Sequence, residues 1–350
     1  MEAYIFLKKY YISLPFKSKS GIAAYAEKFY QNILKDKNYE DKQFQTIEEF
    51  TYWYKTISNQ CVFFIEIGMG SDIERRILWE ILKDDHIVEI TLHDPPFIAF
   101  PYYKFRSRFL NNVSKLIQWI FGQHFFGLEK VKKIRAIYVL STKGKLLIEK
   151  IYRHENVVAI PHIATCNEEY KPICRASLLY TGFVGKKKGL EYALELHENL
   201  LKQDPTLMFI VTGDALDEMS KIFFEQLKQK YRQNVNYLGF IDDFKLSSLL
   251  SEGHVLLLPT IDYKYICPSS ANVVNAISKG SVVFTTRANA NDEIISDGET
   301  GFFLTGDVEV DVKNILLVLK NASIRKKILA TAMRRLSKEN GPENIRKILQ

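Results

Sequence analysis

The chain has 350 residues, of which 47% are apolar, and a formal net charge of +7. A mean hydropathy of −0.13 excludes an integral membrane protein by composition, and no apolar run approaches the roughly 20 residues that span a bilayer. Length favours two domains, and a pI of about 8.9 suits phosphorylated ligands, nucleic acid or an anionic membrane face without choosing among them. Cys61, Cys166, Cys174 and Cys267 lack C-x-x-C spacing, so reduced cytosolic thiols are expected. Lys8 and Lys9 follow the first short apolar run, the reverse of a signal peptide.

In chain order, Ala3 to Leu7 reads as a strand and Gly21 to Leu34 as a helix. Cys61 to Ile67 is a buried strand, Asp72 to Leu82 a helix, and Ile87 to Leu92 a strand ending at His93-Asp94-Pro95-Pro96. Ala136 to Leu140 is a strand, followed by a helix through Ile151 and a strand from Val157 to Ile160. Asn167 to Cys174 breaks the pattern with Glu, Lys and Pro and reads as a linker. Further strands are expected near 177–181, 207–212, 235–238, 254–258, 281–285 and 302–304, with a helical, basic tail from Val308. Such alternation predicts parallel sheets covered on both faces. The expected fold class is α/β, with two Rossmann-like domains facing a cleft, residues 1–168 and 175–350.

Several stretches carry candidate chemistry. Ser20-Gly21 opens a helix, and a glycine there lets backbone approach an anion at the helix start. His93 and Asp94 sit at the carboxyl mouth of a buried strand, where ligands of open α/β sheets gather. Glu66 ends an apolar strand, where a carboxylate is costly to bury unless it is paired; orienting an acceptor hydroxyl, capping a helix and forming an ion pair all fit. Gly182 to Gly189 gathers Lys186, Lys187 and Lys188 at a strand-to-helix turn, suited to a diphosphate or to plain solvation. Pro268-Ser269-Ser270 starts a helix whose free amides suit phosphate. Gly213-Asp214 and Gly239-Phe240 are strand-end turns, and Asp292-Glu293 reads as a helix cap. Residues 104–135 interleave Lys and Arg with Phe109, Trp119 and other aromatics; core packing, an anionic membrane surface and single-stranded nucleic acid all fit. There is no G-x-G-x-x-G after the first strand, no Walker motif, no H-E-x-x-H and no Cys/His cluster.

The order and spacing of Tyr180-Thr181-Gly182, Lys188-Gly189, Val211 to Asp214, Gly239-Phe240, Leu256 to Thr260, Lys279 to Thr286 and Asp297 to Gly301 resemble the donor-binding half of retaining GT-B glycosyltransferases, the GT4 or group 1 family. The Thr91-Leu92-His93-Asp94 run resembles that family's T-x-H-D motif. The resemblance implies an acceptor-binding first domain and a second domain that binds a nucleotide-diphosphate sugar. It implies that His93 and Asp94 serve catalysis, while Glu66 is taken as the acceptor-binding candidate from its own position. It places Gly21, Lys187, Lys188, Gly213, Asp214, Phe240, Ser269, Ser270 and Asn275 around the donor. Attack would come from the face the leaving group departs from, with the diphosphate as base.

The chain departs from the family where Phe183 replaces a phosphate-binding Arg, and where Cys267 and Asn275 replace two glutamates that hold sugar and ribose. The implied partners are a nucleotide-sugar donor and a glycan or lipid-linked acceptor, with no cofactor, no metal and no nucleic acid. The implied role is cell-surface polysaccharide biosynthesis in the cytoplasm, peripheral to the inner membrane face through residues 104–135. The alternatives are a catalytically impaired partner or scaffold of an active transferase, favoured by Phe183, Cys267 and Asn275, and a sugar-nucleotide epimerase.

Overall fold

The computed structural model describes residues 7–16, 18, 20–98, 108–117, 128–166, 177–263 and 266–350. The chain divides into two compact units. The first comprises Met1–Ile163, Lys264–Ser269 and Pro342–Gln350; the second comprises Ala164–Tyr263 and Ser270–Gly341. The expected linker lies outside the described residues.

The first unit holds strands β1 (Lys9–Ile12), β2 (Tyr39–Lys42), β3 (Val62–Ile67), β4 (Ile87–Leu92), β5 (Ala136–Val139) and β6 (Val157–Ala159). Its helices are α1 (Gly21–Phe29), α2 (Ile47–Tyr54), α3 (Asp72–Ile81), α4 (Arg108–Ile117), α5 (Leu128–Val131) and α6 (Thr142–Tyr152). The strands form one parallel sheet in the order β2-β1-β3-β4-β5-β6. Alternation along each strand sorts the core. Tyr10, Ile12, Phe63, Ile65, Ile67, Ile90 and Leu92 pack with α2, α3 and α6, whereas Tyr11, Phe64 and Tyr138 face Tyr25, Ala26 and Phe29 of α1. Both faces are therefore apolar, as covered parallel strands require.

Three details differ from the sequence reading. The first described strand is Lys9–Ile12, where Tyr10, Tyr11 and Ile12 bury on both sheet faces; of the strand expected from Ala3 to Leu7, residues 3–6 lie outside the described residues. The helix expected through Leu34 is α-helical only to Phe29 and continues as a wider π-type turn over Tyr30–Leu34. β2, with sequence Tyr-Glu-Asp-Lys, is a polar edge strand that apolar periodicity does not reveal.

The second unit holds β7 (Leu178–Thr181), β8 (Phe209–Thr212), β9 (Val235–Gly239), β10 (Val255–Leu258), β11 (Val282–Thr285) and β12 (Phe302–Phe303). Its helices are α7 (Leu190–Leu201), α8 (Glu218–Lys230), α9 (Asp243–Ser251), α10 (Ala271–Lys279), α11 (Asn291–Ile294), α12 (Val308–Lys320) and α13 (Ala322–Asn340). The parallel order is β12-β11-β10-β7-β8-β9. Helix α14 (Pro342–Ile348) belongs to the first unit. Its Ile345 is fully buried beside Ile33, Leu34 and Phe29, and Arg346 donates to the Asn32 carbonyl at 2.6 Å. Residues 342–350 thus depart from the expected 175–350 boundary because their apolar face completes the α1 side of the first core.

Candidate active site

In an open parallel sheet, ligands settle outside the carboxyl ends of the strands, where the strand order reverses. That point lies between β1 and β3 in the first unit and between β7 and β10 in the second.

At the first of these edges, Glu66 shares the α1 face of the sheet with Tyr11 and Thr91. It is 0% exposed, and both its oxygens are occupied. Oε1 accepts from the Tyr11 hydroxyl at 2.8 Å and the Thr91 hydroxyl at 3.1 Å, while Oε2 lies 2.8 Å from His93 Nε2. The structure therefore corrects the acceptor role expected for Glu66: the carboxylate is sealed beneath His93 and answers the burial cost by pairing. His93 is 7% exposed, its ring met edge to face by Tyr25 with centroids 4.8 Å apart. Tyr25 makes the same contact with His162 at 5.5 Å. Burial, followed by the adjacent His93, pushes His162 down to about 3, and its Nε2 lies 3.4 Å from the Ser269 carbonyl. Burial and then the Glu66 charge raise the Tyr25 phenol well above its ordinary range.

Asp94 does not point away from the protein. Its Oδ2 accepts from the Met69 amide at 2.7 Å and braces the β3–α3 turn. Gly68 in that turn admits no side chain, because a Cβ there would lie 2.3 Å from Ile22 Cδ1. Gly21 differs: nothing in the described protein lies within 4 Å of a Cβ built on it. Ser20 caps α1 by accepting from the Ile22 amide at 3.2 Å. Ser269 and Cys267 also belong to this unit, and the Cys267 amide donates to the Pro95 carbonyl at 2.9 Å.

The second edge gathers most of the expected donor residues. Lys186–Lys188 form a single 3-10 turn that ends at Gly189, with φ +75°. A Cβ on Gly189 would sit 1.8 Å from the Pro259 carbonyl, so the β7 and β10 loops pack backbone to backbone. The ammonium groups of Lys187 and Lys188 lie 5.3 and 5.6 Å from the Tyr263 ring centroid. Phe183, where the family has Arg, contributes its carbonyl, 3.4 Å from the Tyr180 hydroxyl. Ser270 caps α10, accepting from the Val273 amide, and Asn272 Nδ2 donates to the Thr181 carbonyl at 3.1 Å. The first turn of α10 is thereby tied to the end of β7, with its early amides left for an anion.

Gly182, Gly213 and Gly239 all take positive φ at successive strand ends, and the Gly213 amide donates to the Gly239 carbonyl at 2.7 Å. Asp214 is exposed beside them, and Phe240 is 46% exposed. Asn275 is exposed in the middle of α10. Ala290 stands at the N-cap of α11 and offers no side-chain cap, and Asp292 and Glu293 follow it in the first turn. Asn291 donates to the Thr285 hydroxyl at 2.9 Å and the Thr286 carbonyl at 3.1 Å at the end of β11, and lies 3.4 Å from the Thr260 hydroxyl after β10.

Sequence reasoning assigned no role to Tyr11, Tyr25, Thr91, His162 or Asn272. The position of His162 after the strand ending at Pro161 was the one available signal. Of residues 104–135, the structure describes 108–117 and 128–135. Lys130 stacks on Trp79 at 5.3 Å, Lys133 donates to the Leu82 carbonyl at 3.3 Å and Arg135 pairs with Glu89 at 3.0 Å. Phe109 and Leu116 on α4 are 74% and 49% exposed. Among the described residues, no helix is long and apolar enough to cross a membrane.

Among the solved structures that match nearly the whole chain are those of two proteins. Sucrose-phosphate synthase from Thermosynechococcus elongatus aligns over 98% of this chain and 97% of its own, with a TM-score of 0.74 at 12% identity. Anabaena Alr3699/HepE, crystallised with UDP, aligns over 98% of both chains, with a TM-score of 0.69 at 12% identity. With its two six-stranded parallel units, the chain has the GT-B fold. Residues 174–337 match the family model of glycosyl transferases group 1. An uncharacterised 41.2 kDa protein in the cps region of Klebsiella pneumoniae is 26% identical over 181 residues, 51% of this chain and 43% of that protein. Alpha-D-kanosaminyltransferase of Streptomyces kanamyceticus is 24% identical over 140 residues, 39% of this chain and 34% of that protein. The match spans less than half the length of each of these curated relatives.

Proposed function

We propose that the protein is a retaining glycosyltransferase that moves a sugar from a nucleotide-diphosphate donor to a glycan or lipid-linked saccharide, in the building of a cell-surface polysaccharide. The observation that carries this reading is a coincidence of place. The group 1 match over residues 174–337 contains both the Lys186–Lys188 turn that follows β7 and the capped start of α10, which Asn272 ties to the end of β7. The UDP held by the Anabaena neighbour supports a nucleotide donor, and the cps-region relative supports a polysaccharide product.

In this reading the bond from the anomeric carbon to the diphosphate breaks, and its electron pair leaves on the phosphate oxygen. Lys188, Lys187 and the α10 amides neutralise that charge without a metal. The acceptor oxygen bonds to the same face, and its proton passes to the departing phosphate. His93 holds the transferred sugar. The exposed apolar residues of α4 support peripheral contact with the cytoplasmic membrane face, where a lipid-linked acceptor resides.

The test is incubation with a panel of radiolabelled nucleotide sugars, with and without lipid-linked saccharides. Hydrolysis or transfer by the wild type, cut about a hundredfold per folded molecule in His93→Ala, supports the reading. Proton NMR of the product anomer checks retention. Nucleotide binding without any turnover favours a second reading, a non-catalytic partner of another transferase. Cys267 and the exposed Asn275 in place of carboxylates are what favour that alternative.

A further inference from the structure

We propose that Glu66 is a positioning residue that acts through His93: its buried carboxylate holds the proton on Nε2 and leaves Nδ1 as an acceptor for a sugar or acceptor hydroxyl. The inference rests on the transferase reading and adds to it what prepares the histidine.

The argument begins with the strand. Alternation in β3 turns Glu66 to the α1 face, where Val62 and Phe64 are core residues. An apolar residue would fill that place without the cost of desolvating a charge. Instead, three donors converge on Glu66. An ionised carboxylate only accepts. Oε1 already takes the Tyr11 and Thr91 hydroxyls. Oε2, at 2.8 Å, therefore requires a hydrogen on His93 Nε2. A neutral imidazole carries one such hydrogen, so its Nδ1 presents a lone pair. Among the described residues Nδ1 has no partner.

The ring cannot turn to exchange its nitrogens without losing the Glu66 bond and the edge contact from Tyr25. Behind it, a Cβ on Gly68 would lie 3.1 Å from His93 Cβ, so the backbone closes that side. The other groups around this pocket do not compete for the proton on Nε2. His162 stays neutral under its burial, the Tyr11 and Tyr25 phenols stay protonated, and Asp94 is engaged with the Met69 amide. The fixed acceptor suits a neutral hydroxyl rather than a phosphate, because a lone pair above a buried carboxylate repels an anion.

Glu66→Gln tests this with almost no change of shape. Both hydroxyl donors point at the Oε1 position, so the amide oxygen must occupy it, and the NH2 then faces His93 Nε2. That nitrogen must become the acceptor, and the proton moves to Nδ1. Nitrogen-15 NMR of histidine-labelled protein, with the His93 signals identified by their loss in His93→Gln, reads the tautomer directly. The expected result is an unprotonated Nδ1 in the wild type and a protonated Nδ1 in Glu66→Gln. Turnover should fall about a hundredfold, with calorimetric affinity for UDP and the melting temperature unchanged.

A wild-type Nδ1 that carries the proton overturns the proposal without any variant. So does Glu66→Gln with the switched tautomer and full turnover. A correct tautomer switch in a protein that transfers no sugar removes the transferase reading instead, so the two failures are distinct.

Discussion

Gly213 and Gly182 meet backbone to backbone: a methyl group on Gly213 would lie 1.9 Å from the Gly182 carbonyl oxygen, at a φ of +113°. The contact locks the ends of β7 and β8 together beneath the candidate donor loops. Gly213→Ala should therefore destabilise the protein by about 2–4 kcal/mol in urea unfolding. Gly21→Ala should change stability by less than about 1 kcal/mol, because no described atom lies within 4 Å of its Cβ, yet lower turnover if ligand occupies that space. Equal stability losses in the two variants would contradict the packing argument.

Lys188 presents its ammonium beside Tyr263 at a turn held by Gly189. A charge-assisted phosphate contact contributes on the order of 1.5–3 kcal/mol. Lys188→Ala should weaken UDP binding by roughly tenfold or more, measured by calorimetry, with the fold intact by circular dichroism. Unchanged affinity would remove Lys188 from the phosphate site.

His162 makes stability depend on pH. Its folded value of about 3 lies below the ordinary 6.5, so between these values the unfolded chain binds more protons and stability rises with pH. Its contribution is complete above about 6.5 and is lost as pH falls toward 3, on the order of a few kcal/mol in total. Burial raises Glu74 to about 7 and Asp41 to about 6; these carboxyls act in the opposite direction, weakening the fold as pH rises. The clean quantity is therefore the wild-type unfolding free energy minus that of His162→Gln. It should shrink as pH is lowered from 7 to 4; a constant difference would show a histidine whose burial costs the fold nothing.

On α4, Phe109 and Leu116 are exposed. Cosedimentation with anionic vesicles should be strong at low salt, weak at high salt and weak with neutral vesicles. Replacing both residues by Ser should reduce recovery with the anionic vesicles several-fold while leaving UDP binding unchanged. Recovery that ignores both salt and the double substitution would leave α4 without a membrane role.

The parallel sheets were legible because their central strands carry continuous apolar runs, such as Val62–Ile65 and Val255–Leu258, each ending at Gly, Pro or a polar residue. β2 was not, since an edge strand of Tyr-Glu-Asp-Lys carries no apolar alternation. At the site, sequence could mark His93 as a strand-end residue and Glu66 as an acid out of place. It could not pair them, because the bond joins neighbouring strands across 27 positions, and register is set by the whole sheet. His162 offered only its place after a strand as a signal; its meaning comes from Tyr25, which touches it and His93 alike. Of the three roles the strand-end position allowed for Glu66, an acceptor contact, a helix cap and a charged pairing, the geometry shows a pairing with His93.

Helix α14 sets an order of events during synthesis. Ile345, buried in the first unit's core, leaves the ribosome after every residue of the second unit has been made. The α1 side of the first sheet therefore stays open, with Ile33 and Leu34 short of a neighbour, until the second unit has had time to fold. Nascent chains stalled at residue 341 should show a protease-resistant second unit beside a first unit that is still readily cut, and extension through residue 350 should close that difference.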